Sequence, residues 1–405
     1  MKRRGPRRMH FYRRNIYVLS FTIFIAALSW TQIVPFLPLY LRELGVAEDN
    51  LIGWSSRIFF AQCLASIVCM PMWGKMGDRY GRKMMTMRAG LCLCAIYFGM
   101  SYCQTPWQLA ALRFLNGALT GFIPGSISII ATNTPRAIVS RYVATAQTCS
   151  AAGQIIGPAV GGFLAAWFGY RASMKVSALA VFVSVLLVLA LVQERNKSQI
   201  DKPTSLLADF RTSLRSPLLA AMMVANAMTG FFVLAMTVVL PLYLVSLGVD
   251  ARGQGVLVGL VLAIPAAAMF TTAHPWASYA VRRTHERAII VGMIGAGAGV
   301  SILLFAHSVW VLAILYFLTS VFLSAVYSAS ASLIATRVEE SFRGRAFGMQ
   351  ASSATFGGLI ATMASGPVGK ALGLPAVFVM VTIVSVLCVL AFRGLASKPQ
   401  TAALS

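Results

Sequence analysis

The chain has 405 residues, of which 58% are hydrophobic and only 11% are charged. A soluble domain usually has about 25% charged residues, so this composition excludes an ordinary soluble protein and indicates one that lies largely in lipid. A formal net charge of +23 is also found in nucleic-acid-binding proteins, but its distribution along the chain indicates a membrane protein instead.

Long apolar runs divide the sequence into twelve predicted membrane spans. They lie at 16–41, 51–73, 84–103, 107–131, 141–166, 172–192, 218–244, 255–276, 288–307, 309–335, 346–369 and 375–393. Such runs suit helices, which need about 20 residues to cross a bilayer, whereas barrel strands need about 10 residues of alternating polarity. Because lipid offers the backbone no hydrogen-bond partners, we predict that every span is helical.

Basic residues are concentrated in the segments that fall on one side of the membrane. If the spans alternate in direction, 27 of the 34 Lys and Arg residues lie on that side. This positive-inside pattern predicts that both termini are cytoplasmic and that the basic flanks lie near anionic lipid headgroups. It argues against nucleic acid as a partner. Because eleven further spans follow the first one, we expect that span to be retained and not cleaved as a signal peptide.

Cysteines and other metal-ligating residues form no recognisable site. The seven cysteines lie mostly within spans and lack the spacing of a disulfide framework or a zinc site. The polar segments contain no catalytic pair, metal cluster or nucleotide-binding loop. We therefore expect neither a cofactor nor an enzymatic activity.

A charged segment, Gly74–Lys83, separates the second and third spans. Its glycines permit a tight reversal, and Asp78 could accept hydrogen bonds from a helix start. The segment resembles the signature loop between helices 2 and 3 of the major facilitator superfamily at Gly74, Asp78, Arg79, Gly81, Arg82 and Lys83. The resemblance implies a gating role, and we expect Asp78 to lie near Arg345 and latch the cytoplasmic side.

An internal duplication divides the chain into two halves. Leu37–Val46 matches Leu240–Val249 at eight of ten positions, and Trp73 matches Trp276 at the same offset of 203 residues. We predict an all-α integral membrane protein with twelve transmembrane helices in two pseudo-symmetric six-helix bundles, the major facilitator fold. The bundles would comprise 1–192 and 218–405. The cytoplasmic linker between them, 193–217, either forms a short surface helix or is solvated.

Two further motifs resemble this family. In the fourth span Arg113 is followed by Gly117, and the family implicates this arginine in proton transfer. An arginine within a span suggests a functional site, although it could instead tie helices together or reach the interface. The fifth span resembles the helix 5 signature of the antiporter branch, which includes drug–proton exchangers, at Gly153, Gly157, Pro158, Gly161 and Gly162. The alternative is ordinary close packing of small residues.

The spans contain arginines but no central carboxylate. All eleven acidic residues lie in loops or at span ends. We therefore assign proton coupling to Arg113 and Asp78, and expect neutral or anionic substrates rather than cations. Arg57 either contacts the substrate or reaches the outer interface. Candidate cavity residues, each of which could instead pack or face lipid, are Trp30, Gln32, Arg57, Gln147, Asn226, Phe231 and Gln350.

The closest family branch, the 12-helix drug:proton antiporters, implies a secondary transporter that exports small amphipathic compounds. Transport would follow rocker-switch alternating access, with the proton gradient as energy source, in a monomer in the bacterial inner membrane. Two alternatives use the same fold: a proton-coupled metabolite symporter or importer, and a lipid-linked flippase.

Overall fold

The computed structural model describes residues 7–194, 216–249, 255–337 and 340–396, and nearly all of them are helical. The first stretch contains α1 (Arg7–Ile33), α2 (Leu37–Glu43), α3 (Glu48–Tyr80), α4 (Arg82–Met100), α5 (Pro106–Leu119), α6 (Phe122–Asn133) and α7 (Arg136–Leu191). The later stretches contain α8 (Pro217–Ser246), α9 (Gly255–Arg282), α10 (His285–Leu303), α11 (Val309–Arg337), α12 (Glu340–Leu372) and α13 (Leu374–Ala396).

The predicted spans fall on helices, which confirms the all-α membrane fold class. By length and composition, eight of the described helices can cross a membrane, or nine if the bent pair Leu257–Thr272 and His274–Ala280 counts as one span. One reason that this number is below twelve is that α7 contains both the fifth and the sixth predicted spans. Gly169, with a φ of 79°, interrupts its helical geometry between them.

Two predicted spans are not single helices, which corrects the sequence-based expectation. A short 3-10 helix, Val34–Phe36, interrupts the first span at a proline, whose ring removes a backbone donor. The fourth span ends as α5 and resumes as α6, because Gly121 has a φ of 143° that side-chain-bearing residues rarely adopt. This break leaves carbonyl groups at the end of α5 without helical partners.

The described helices form two compact units. One unit contains α1, α2, α3 from Leu64 onward, α4 to α7, and α9 up to Ala263. The other contains α3 up to Cys63, α8, α9 from Ile264 onward, and α10 to α13. Residues 195–215, where the surface helix was predicted, lie outside the described residues, so the division at 193–217 stays a prediction.

Hydrogen bonds from two tryptophans reveal the duplication in three dimensions. In the first unit, Trp73 Nε1 donates to the carbonyl oxygen of Ala118 at 2.6 Å. In the second unit, Trp276 Nε1 donates to that of Val321 at 2.8 Å. Both partners are related by the offset of 203 residues found in the sequence. The two copies therefore share a side-chain-to-backbone contact as well as sequence.

The second unit is built on a very close approach of α8 and α12. A β carbon added at Gly230 would collide with the backbone oxygen of Ala354, and one at Gly357 with that of Ala227. Because the colliding atoms belong to the backbone, a side chain at either position would push the two helices apart.

We therefore expect Gly230→Ala to destabilise the protein by about 1–3 kcal/mol, the usual cost of overpacking. The measurement is the midpoint of thermal unfolding in detergent. Gly394→Ala is the matched control, since nothing lies within 4 Å of a β carbon added there, and it should leave the midpoint unchanged or slightly higher. Equal midpoints for the two variants would contradict the close approach of α8 and α12.

Candidate functional site

The Gly74–Lys83 segment contains a sharp turn between α3 and α4, as predicted, but the turn uses a single glycine. Gly81 has a φ of 99° and precedes the first residue of α4. Gly74 and Gly77 lie within α3. Arg79 is exposed, and its guanidinium carbon lies 5.4 Å from the centre of the Tyr80 ring.

Lys83 and Glu194 join the start of α4 to the end of α7 by capping each other's helix. The Glu194 carboxylate accepts hydrogen bonds from the backbone N–H groups of Arg82 (3.0 Å) and Lys83 (2.9 Å). In return, Lys83 Nζ donates to the carbonyl oxygens of Leu189 (2.9 Å) and Val192 (2.7 Å). Each charge lies at the helix end whose dipole favours it. The acid that caps α4 is therefore Glu194, a residue that the sequence reasoning assigned to the linker; the Asp78 side chain lies outside the described residues.

Two more contacts hold the same region of the first unit together. Arg82 Nη1 donates to both the carbonyl and the hydroxyl oxygen of Ser128 on α6. The Asn15 side chain on α1 donates to the carbonyl of Gln193 (2.8 Å) and accepts from its N–H (3.1 Å). The last two residues of the family motif thus bind elements of their own unit. The Arg345 side chain, the predicted partner of Asp78, lies outside the described residues.

Arg113 is completely buried in α5. Its guanidinium carbon lies 6.0 Å from the centre of the Trp30 ring on α1. Tyr97 and Asn116 are also completely buried. Arg113 therefore does not reach the interface, and the alternative that it snorkels from a helix end is wrong. A buried guanidinium favours an anionic or strongly polar group beside it.

The glycines of the fifth span press α7 against α1. A β carbon at Gly153 would collide with the backbone oxygen of Phe24, and one at Gly161 with that of Gln32. At Gly157 the added atom would meet the Thr31 hydroxyl. Gly162 is also buried. Three of the motif glycines therefore have a packing requirement that no other residue type satisfies.

Close contacts at glycines also involve the first parts of α3 and α9. In the first unit, a β carbon at Gly259 of α9 would collide with the Pro158 carbonyl of α7. In the second unit, one at Gly366 of α12 would lie 2.9 Å from the Ser56 β carbon of α3. The glycine–proline pairs of the fifth span (Gly157–Pro158) and the eleventh span (Gly366–Pro367) thus both lie at helix contacts.

Asn226 and Gln350, two predicted cavity residues, lie together in the second unit. Gln350 Nε2 donates to Asn226 Oδ1 at 3.0 Å, and Asn226 Nδ2 donates to the carbonyl of Met222 at 2.8 Å. A small pocket beside this pair is lined by Leu219, Met222, Met223, Asn226, Ile334, Met349 and Gln350. This pocket has room for about one water molecule, so the pair mainly joins α8 to α12.

The other predicted cavity residues are dispersed. Gln32 is buried and donates to the carbonyl (3.0 Å) and hydroxyl (2.9 Å) oxygens of Ser173 on α7, so it bonds helix to helix. Phe231 is buried, and Gln147 is exposed. Arg57 is exposed on α3, with its guanidinium carbon 5.9 Å from the centre of the Trp54 ring.

Sequence reasoning missed Arg88, which it counted among the loop cations. Arg88 lies in α4, inside the third predicted span, and its guanidinium carbon is 3.4 Å from the centre of the Trp73 ring. Its position within an apolar run was the available signal. Among residues 7–194, 216–249, 255–337 and 340–396, we find no group of three His, Cys, Asp or Glu that could hold a metal ion.

We expect Glu194→Gln to lower stability by about 1–2 kcal/mol, because the amide removes the negative charge at the start of α4. Thermal unfolding in detergent measures the change. Glu43→Gln, an exposed acid at the last residue of α2, is the control and should have little effect. A loss in Glu194→Gln no larger than that in the control would contradict a stabilising role for the reciprocal caps.

Several known proteins resemble this chain over most of its length. The multidrug resistance protein MdtG of Salmonella typhimurium is 28% identical over 374 residues, which cover 91% of each chain. MdtG of Enterobacter lignolyticus is 28% identical over 394 residues, covering 96% of this chain and 93% of the relative.

Solved structures share the fold at low sequence identity. The nucleoside transporter NupG has a TM-score of 0.78 with 14% identity, covering 95% of this chain and 100% of that one. The human organic anion transporter MFSD10 has a TM-score of 0.69 with 16% identity, covering 96% and 100%. The model of the Major Facilitator Superfamily matches residues 19–283 and 254–404. The chain is thus a multi-pass membrane transporter and not an enzyme, and it belongs to the major facilitator superfamily.

Proposed function

We propose that the protein exports small amphipathic compounds, neutral or anionic, from the cytoplasm in exchange for protons. The observation that carries this proposal is the packing of the antiporter-type motif, in which Gly153, Gly157 and Gly161 lie against α1 and Pro158 lies against Gly259. The names of the curated relatives, multidrug resistance proteins, support the same substrate class.

In this account transport follows rocker-switch alternating access. The contacts of Gly259 with Pro158 and of Gly366 with Ser56 each lie within one compact unit and would hold that unit together during transport. Small residues suit this role, since they let backbones approach closely. On the cytoplasmic side, the Asp78 loop would act as the latch, held to its own unit by Arg82 and Lys83.

Arg113 is the proposed coupling residue, together with Asp78. Its guanidinium is fully buried beside Trp30, where a fixed positive charge favours an anionic group over a cation. An anionic substrate group would bind beside it, and protons would cross in the opposite direction when the substrate leaves. Asn226 and Gln350 would bind uncharged polar groups of the substrate beside the methionine-lined pocket.

The remaining assignments follow from the charge pattern and the family. Both termini would lie in the cytoplasm, an orientation that the basic segments support. The membrane would be the inner membrane of a bacterium, an assignment that the bacterial relatives support. We propose a monomer that needs no cofactor and uses the proton gradient as its energy source.

The test uses proteoliposomes with the pH-sensitive dye pyranine inside and an imposed proton gradient. The probes are anilinonaphthalene sulfonate (anionic), phenylnaphthylamine (neutral) and ethidium (cationic). We expect the anionic or neutral probe to discharge the gradient with wild type. Arg113→Ala should reduce this flux by about tenfold or more, because buried charged groups make large contributions at functional sites.

Arg393→Ala is the matched control, since it removes an exposed arginine that is not a candidate cavity residue. It should retain the flux. Full activity in Arg113→Ala would contradict the coupling role, and transport of ethidium alone would contradict the substrate class.

A lipid-linked flippase is the second candidate, and the exposure of Arg57 favours it. Arg57 shares an exposed face of α3 with Leu64 and Val68, where it could contact a lipid phosphate. If labelled lipid crosses the bilayer with wild type but not with Arg57→Ala, and no probe moves protons, the flippase reading replaces export.

A further inference from the structure

Three side chains bind the carbonyl groups that are left open where the fourth span breaks. Ser66 Oγ donates to the carbonyl of Gly117 (3.2 Å), and Trp73 Nε1 donates to that of Ala118 (2.6 Å). Arg88 Nη2 donates to the carbonyl of Leu119 (3.2 Å). Two of these donors come from α3 and one from α4. The end of α5 is therefore tied to both helices by consecutive carbonyl groups.

Arg88 adds a charge to this arrangement. Its guanidinium lies flat enough on Trp73 to bring its central carbon within 3.4 Å of the ring centre, which favours a cation–π interaction. Its Nε and Nη1 atoms are buried and have no hydrogen-bond partner among the described residues. The carbonyl of Leu119, at the negative end of the α5 dipole, accepts a hydrogen bond from Arg88 and stabilises its charge.

The second copy of the duplication provides an internal comparison. It keeps the tryptophan contact, Trp276 to Val321, at 2.8 Å. At the same offset, the positions of Ser66, Arg88 and Gly121 are occupied by Met269, Val291 and Ser324. There, α11 runs unbroken as Val309–Arg337. The helix break and the two extra donors therefore occur together in the first copy and are both missing from the second.

The break lies on the helix that carries the proposed coupling residue. Arg113 is six residues before Leu119, the last residue of α5. Gly121 separates this helix from α6, so α5 can change direction without α6 following it. The bonds from α3 and α4 fix where the carboxyl end of α5 lies, and through it the place of Arg113.

We infer that Arg88 is a positioning residue for Arg113: with Trp73 it holds the end of α5 at the Gly121 break and so sets the orientation of the coupling arginine. The inference rests on the proposed coupling role of Arg113. In this inference α5, the first half of the broken fourth span, moves separately, and only the first copy of the duplication has such a movement. The second copy, with its continuous α11, would serve as the fixed counterpart.

The first test is hydrogen–deuterium exchange of the full chain in lipid, without any substrate. Arg88→Val installs the residue found at the matching position of the second copy. We expect the amides of 118–120, which lie in the last turn of α5, to exchange about tenfold faster, since a hydrogen bond from a charged donor typically stabilises by that ratio or more. Trp73→Phe, which keeps an aromatic ring but loses the N–H donor, should give a smaller increase at the same amides. Unchanged exchange in both variants would overturn the inference.

The matched control is Trp276→Phe, which removes the equivalent hydrogen bond of the second copy, from Trp276 to Val321. Because α11 is unbroken, that variant should leave exchange around 321–326 close to the wild-type rate. An effect as large as that of Trp73→Phe would show that the contact only packs the helices, and would overturn a special role of the break.

The second test is the pH dependence of probe-driven proton flux in the pyranine assay. Arg88→Val should shift the profile toward that of Arg113→Ala, and Arg88→Lys, which keeps a charge, should restore part of the wild-type profile. If Arg113→Ala changes the profile but Arg88→Val does not, the positioning role is wrong while the proposed function stands. If Arg113→Ala has no effect, the proposed function fails, and the exchange experiment still decides whether Arg88 holds α5.

Discussion

A peptide group inside a lipid bilayer finds no water to bond with, so every break in a membrane helix needs partners supplied by the protein. The fourth span meets this constraint at Gly121, where Ser66, Trp73 and Arg88 bind the open carbonyl groups. The ends of α4 and α7 meet it in the same way, through Lys83 and Glu194. Most of the side-chain hydrogen bonds that we describe in the first unit bind backbone groups at these helix ends.

Close backbone packing supplies the second part of the account. The glycines of α7 leave no space for side chains against α1, which brings the backbones of these two helices into contact. Gly259 of α9 makes a contact of the same kind with Pro158 of α7, and Gly366 of α12 makes one with Ser56 of α3. A transporter has to keep some helix pairs fixed and let others separate. Small residues suit both purposes, because they bring backbones close without interlocking long side chains.

The sequence predicted the fold well because span positions depend on local hydrophobicity, and the duplication at an offset of 203 residues is visible by comparison. The sequence-based prediction failed where the role of a residue depends on a partner far away in the chain. Glu194 caps the start of a helix 111 positions earlier, and no local sequence pattern indicates this pairing. Gln32 looked like a cavity residue and instead bonds α1 to α7. The prediction of an unbroken span at 107–131 missed the break at Gly121, because a positive φ appears only in three dimensions.

The central claim, export in exchange for protons, is tested most directly by the direction of movement in proteoliposomes under a pH gradient alone. Anilinonaphthalene sulfonate is present on both sides, and the gradient is imposed with the membrane potential clamped. The account predicts that the probe accumulates on the more acidic side, against the direction in which protons flow. Accumulation on the more alkaline side would show that probe and proton move together, which would contradict antiport and establish a symporter.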